Sequence, residues 1–232
     1  TSPARRYSTR PLNGATPDYA RMLNALRDQS LAEMEELLDP ALNELKSYLL
    51  ELSTRIKPTR RGRLLHYEAA VIIRANRAAI LDRIIAAMAD LYEDLVPQHQ
   101  EQATVHLEEV SDLDLIDLQD FEDRLAVDRM VAMGNDLHQI PLEALQIRIA
   151  SLIEAEPVRV RVPVGVAPLC RAFQSALAAF EVPREVTGHI FDFFQRYVIR
   201  HLGTYYKGLN KPLADQGVKP DLEQEIRIKG SL

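Results

Sequence analysis

The chain has 232 residues, 47% of them hydrophobic and 27% charged, with a net charge of −6. This is enough apolar side chain for one sizeable core or two joined helical subdomains, which excludes a disordered chain, and the acidic balance argues against a general nucleic-acid binder. The longest apolar run, Ile84 to Ala89, is far short of the roughly 20 residues that a bilayer span needs, and a single cysteine, Cys170, rules out an internal disulfide and any multi-cysteine zinc site. The expectation is a cytoplasmic protein with no membrane partner.

Residues 1–16 mix Pro, Ser, Thr, Gly and Arg without an apolar period and read as a flexible arm or linker. The opening at Thr1 rather than at a methionine reads as a processed chain or an excised piece of something longer. Thr16 and Pro17 have the chemistry of an N-cap and a first helical position. Beyond them Leu31, Met34, Leu38, Leu42, Leu45, Leu49, Leu52 and Ile56 recur at steps of three and four, which predicts a helix with one narrow buried seam. A homodimer through that seam is a secondary expectation. Asp39-Pro40 predicts a kink or a break, with Asp39 capping a new helix.

Arg55, Lys57, Arg60, Arg61 and Arg63 crowd around Pro58 and Gly62. They read either as a solvated connecting loop or as an anion site for phosphate, an acidic protein face or a nucleotide second messenger such as a cyclic dinucleotide. From Leu64 to Leu95 a second long helix is predicted, with Tyr67, Val71, Ala78, Leu81, Ile85, Met88, Tyr92 and Leu95 on one broad face, so that residues 17–96 form a helical hairpin.

After Pro97 the chain turns acidic. Asp112, Asp114, Asp117, Asp120 and Asp123 interleave with Leu113, Leu115, Ile116, Leu118, Phe121 and Leu125. This amphipathic segment is a candidate partner face, since close like charges repel and a basic surface, either on another protein or on this chain's own Arg55 to Arg63 loop, would explain them. Asp112-Leu-Asp114 lacks the turn glycine and terminal glutamate of a calcium loop. A further helix is expected from Pro141 through Leu152. Val158, Val160 and Val162 alternate with arginines, as Ile226 and Ile228 flank Arg227, so each stretch reads either as an irregular tether or as an extended edge that pairs with the other. A short amphipathic helix is predicted from Pro168 to Phe180, and a single central helix from Arg184 to Asn210, whose apolar residues cover more than half its circumference.

No nucleophile elbow, His-Glu-x-x-His, dinucleotide glycine fingerprint or di-iron Glu-x-x-His is present, and Gly203 to Gly208 lacks the Lys and Ser/Thr of a phosphate loop. The sequence therefore assigns no catalytic residue, cofactor or metal ligand. His201 is the one histidine placed on the apolar side of the predicted central helix, and reads as a core histidine.

Two stretches carry a resemblance. Leu115 to Val127, followed by Met130 and Val131, and Ala167-Pro-Leu-Cys-Arg-Ala-Phe173 with Leu202-Gly203, Tyr206, Leu209-Asn210, Leu213, Gly217-Val218 and Pro220 resemble a proteobacterial family, domain of unknown function 1631. A weaker similarity extends back to about Leu31, and Val162-Pro-Val164 departs from the family's usual Asn-Pro-Leu. The resemblance implies a longer parent protein. Some relatives carry a PilZ module, which binds cyclic di-GMP, and some the label thymidine phosphorylase, an activity whose glycine-rich phosphate-handling segments are missing from this chain.

The resulting expectation is an all-α, multi-helix bundle with a long N-terminal hairpin and at most one short β pairing, folded over residues 17–222 with a bundle over 112–210 and a tail from 223. Its function is read as a non-catalytic interaction or regulatory domain of a larger bacterial protein. The alternative is a sensor that binds an anionic nucleotide through residues 55–63.

Overall fold

The computed structural model describes residues 11–55, 60–95 and 118–229. Among these the chain is all α, with no strand: α1 Pro17–Arg55, α2 Arg60–Glu93, α3 Leu118–Leu137, α4 Gln139–Leu152, α5 Val166–Ala178, α6 Arg184–Tyr197, α7 Leu202–Asp215 and α8 Leu222–Lys229, with 3-10 turns at Pro157–Arg159 and Ile199–His201. The antiparallel hairpin of α1 and α2 forms one wall. Helix α5 packs along α2, α6 and α7 pack on α1, α3 packs on α5 and α6, and α4 packs on α7 and α8.

The start of α1 follows its chemistry. Thr16 Oγ1 accepts the backbone N–H of Tyr19 at 3.2 Å, as an N-cap does. The preceding residues are not all tether, because Leu12 is buried and both of its backbone polar groups are bonded to the Asn24 side chain at 3.0 Å. The predicted break at Asp39-Pro40 does not occur. Helix α1 runs through Pro40, which sits on the exposed side together with Glu36, so the carbonyl that loses its donor lies on the wet face. Asp39 pairs with Arg77 of α2 at 3.5 Å instead of capping a helix. Over its described part the seam is packed within the chain, with Leu31, Met34, Leu38, Leu42, Leu45 and Leu49 all buried.

The predicted central helix is likewise replaced by two. Helix α6 ends at Tyr197 and α7 starts at Leu202, joined by the Ile199–His201 turn. An apolar surface wider than one interface can cover is thereby divided between two helices that share α1 but otherwise face different neighbours, α3 for α6 and α4 for α7. Phe173 stacks on Phe194 at 3.9 Å between ring centroids, and Tyr206 donates its hydroxyl to the Val164 carbonyl at 3.1 Å. Gly134 lets α3 approach this junction, since a Cβ there would stand 2.6 Å from Val166 and 2.7 Å from Ile199.

The predicted strand pairing is also corrected. Val158 lies in a 3-10 turn and is 84% exposed, Val160 is buried, and Ile226 and Ile228 belong to α8. The Pro157 and Val160 carbonyls accept from Gln146 Nε2 at 2.9 and 2.8 Å, which ties the Val158–Val162 stretch to α4 rather than to another edge. Residues 223–229, read as part of a tail, belong to α8, whose Leu222 and Ile226 pack on Ala144.

One charged group holds that corner. Arg148 of α4 is fully buried, and each of its three nitrogens donates: Nε to the Val218 carbonyl at 3.0 Å, Nη1 to Asn210 Oδ1 at 2.6 Å and to Glu223 Oε1 at 2.5 Å, Nη2 to the Lys219 carbonyl at 3.0 Å and to Glu223 Oε2 at 2.8 Å. A guanidinium has five N–H donors in a fixed fork, and all five find acceptors here. The acceptors on the loop are presented by the end of α7. Gly217, at φ +85°, donates to Ala214, and Val218 donates to Leu213, the two bonds of a Schellman cap.

Candidate interaction face and histidine pair

Helix α2 departs from the face predicted for it. Its buried side over the first half is His66, Ala69, Ala70 and Ile73, which turns Leu64, Tyr67 and Val71 outward at 63%, 55% and 46% exposure. These three fall at i, i+3 and i+7 and so form one line along the helix, about 10 Å from first Cα to last at 1.5 Å per residue. The exposed Ala75 and Ala78 continue the line. Arg61, Arg63 and Arg74 are exposed around it, with Glu68 as the acidic exception. Elsewhere the large exposed apolar side chains are scattered one or two to an element, whereas here three share one helical line.

Four of the five basic residues of the sequence reading lie in the helix ends at this end of the hairpin. Arg55 ends α1, Arg60 and Arg61 open α2, and Arg63 follows in the first turn, while Lys57 lies outside the described residues. Arg61 reaches Glu185 in the first turn of α6 at 3.6 Å, with both side chains largely in solvent. Such a pair contributes little to stability.

Just beneath, His66 is 93% buried by its 7% exposure and meets the half-buried His189 of α6 with 5.1 Å between ring centroids. Nδ1 of His66 lies 2.8 Å from the Gly62 carbonyl, which can only accept, so Nδ1 carries the proton and Nε2 is left with a lone pair. Nε2 has no hydrogen-bond partner. Burial and then the neighbouring His66 push the His189 pKa below its ordinary value, and Asp192 opposes them. His201, read from the sequence as the core histidine, is exposed. His66 and His138 are the buried ones, the latter donating from Nε2 to the Ile199 carbonyl at 2.7 Å. His66 was legible in principle, since it stands three and four residues before Ala69 and Ala70 on the buried line of α2.

Of the acidic candidates, Asp112, Asp114 and Asp117 lie outside the described residues, and Asp120 falls in the first turn of α3. Asp123 is not a free face residue: it accepts from Thr187 Oγ1 at 3.1 Å. It also lines a half-open cleft of about 560 Å³ between α3, α5 and α6, with Arg124, Glu181 and Arg184 at its rim. A second cleft of about 480 Å³ is lined by Asp136, His138, Gly203, Lys207, Glu223 and Arg227. Both clefts carry charges of both signs and neither gathers one chemistry. Cys170 is fully buried, and burial pushes its thiol pKa up to about 12, so it is protonated at neutral pH. Among the described residues no helix is long and apolar enough to cross a membrane.

No curated protein and no solved structure matches the chain. A family model does, over residues 18–217, a stretch that holds α1 to α7 and ends at the Gly217 cap. With that span matched, the chain belongs to the family described as protein of unknown function (DUF1631), N-terminal domain.

Proposed function

We propose that the chain is a non-catalytic interaction module of a larger bacterial cytoplasmic protein, and that it docks an acidic amphipathic helix of a protein partner on the first turns of α2. The observation that carries this reading is the exposed Leu64, Tyr67 and Val71 line set among Arg61, Arg63 and Arg74. Helix-in-groove recognition uses anchors at this spacing, and flanking cations select a partner whose flanks are acidic. The anchors sit on a helix of the packed hairpin, so the backbone that presents them is already ordered before binding.

The test compares the native chain with Leu64→Ser/Tyr67→Ser in recovery of proteins from a native lysate, beside a melting curve. Both side chains are more than half exposed, so the melting temperature is expected to hold while a specific protein is lost. Recovery of the same proteins by both chains overturns the reading.

A second reading is a sensor of an anionic nucleotide. Arg55 ends α1 and Arg60, Arg61 and Arg63 lie in the first turn of α2, where the N-terminus of the helix adds a partial positive charge. Calorimetry with a panel of cyclic dinucleotides and mononucleotides decides it. Heat abolished by Arg61→Ala/Arg63→Ala supports the sensor, and no heat from any ligand removes it.

A further inference from the structure

We infer that His66 and His189 form a binding site for one divalent transition-metal ion of the zinc type, which fastens the basic end of α2 to α6. The inference starts from the lone pair on His66 Nε2, which lies buried with nothing to accept. A buried polar atom without a partner is rare in a folded chain and calls for a missing one. Because Nδ1–H is committed to the Gly62 carbonyl, the missing partner must be a donor or a Lewis acid. A backbone carbonyl on one ring nitrogen is also what commonly orients and fixes the tautomer of a metal-binding histidine.

The neighbouring ring supplies the second ligand. An imidazole nitrogen binds zinc at about 2.0–2.1 Å, which puts the metal about 3.2 Å from the ring centre, and two such rings at a tetrahedral angle stand about 5.2 Å apart. The observed centroid separation is 5.1 Å. His189 is half-buried, so an ion can enter from its side. No third His, Cys, Asp or Glu completes the set among the described residues, so water fills the remaining positions. Of the charged side chains, Asp192 acts on His189, while Arg61 and Glu185 are paired with each other at 3.6 Å. Soft or borderline cations that favour imidazole fit such a site, whereas calcium and magnesium, which take oxygen ligands, do not.

The experiment titrates the full 232-residue chain with zinc chloride at neutral pH by calorimetry and thermal melting, beside His66→Gln, His189→Gln and, as a control, His201→Gln. One equivalent is expected to bind and to raise the melting temperature, with magnesium inert. His189→Gln is expected to weaken binding at least tenfold, a loss of the order seen when a metal site is damaged, and His201→Gln to leave it unchanged. His189 is half-exposed, so that variant keeps the test decisive where His66→Gln fails to fold. Zinc without effect on the melting temperature, or bound equally by the His189 variant, overturns the proposal. Leu64→Ser/Tyr67→Ser should still bind zinc, so failure of the docking reading and failure of the metal site are told apart.

Discussion

Arg148 shows what a single residue decides in this fold. Its guanidinium is wholly buried, so removing it strands the Asn210 carbonyl oxygen, two backbone carbonyls and the Glu223 carboxylate together. Breaking a buried ion pair from one side costs about 3–5 kcal/mol, and Arg148→Met should fall in that range by urea unfolding. Glu223→Gln should cost clearly less, since Glu223 is about one-third exposed and water can answer the change. The same pair sets a pH dependence. The hydrogen bonds from Arg148 hold the Glu223 pKa below its ordinary value, so the folded state binds this proton less readily than the unfolded one. The stability it contributes is present above the ordinary glutamate pKa and is lost as pH falls through the lowered folded value. Melting temperature should drop more steeply on acidification in the native chain than in Glu223→Gln. Arg148 was readable in part, because it falls on the line of Leu145, Ile149 and Leu152, where a charge is out of place. Its acceptors were not, since Asn210 and the 218–219 carbonyls come from distant turns.

At the scale of the element, helix content was legible and helix limits were not. The three-and-four spacing of α1 marked its buried side correctly, because a seam depends only on which residues are apolar. Whether Pro40 breaks that helix depends instead on which side it faces, and period alone did not weigh that. For the same reason Pro40→Ala should strengthen α1: it restores a donor to the Glu36 carbonyl with no packed neighbour to displace. A gain of about 1–3 kcal/mol is expected from the interior cost of proline, read as a shift in the urea midpoint without change of slope. A loss of stability would mean that α1 needs its present local geometry to seat Asp39 on Arg77. The opposite error occurred at Arg184 to Asn210, where unbroken apolar character concealed a turn. Val198 there leaves regular helical geometry at φ −113°, ψ −66°, and His138 claims the Ile199 carbonyl, so the break is imposed by tertiary contact rather than by a breaker residue. On α2 the broad apolar face misled by phase. With so many small residues the sequence allows several rotations of the helix, and the rotation taken is what exposes Leu64, Tyr67 and Val71.

For the whole molecule, one residue of the basic stretch and one of the acidic stretch reach the start of α6. Arg61 pairs with Glu185, and Asp123 of α3 accepts from Thr187, two residues on in α6. This changes what the acidic segment can be asked to do, because Asp123 serves an internal contact and cannot report on a partner. Asp123→Asn should lower stability by about 0.5–1.5 kcal/mol, the ordinary worth of a weakened hydrogen bond, with partner recovery unchanged. Asp112, Asp114 and Asp117 are the residues left to test as a second docking face. Like charges this close in sequence repel by only a few tenths of a kcal/mol per pair and are screened by salt, so changing all three to asparagine should leave the melting temperature within error or slightly higher. If they serve a basic partner, that variant loses the partner while Leu64→Ser/Tyr67→Ser keeps it, and the native interaction weakens as sodium chloride is raised from low to physiological strength. If the triple variant instead melts well below the native chain and still recovers every partner, the acidic segment belongs to the fold, and only the α2 face remains for recognition.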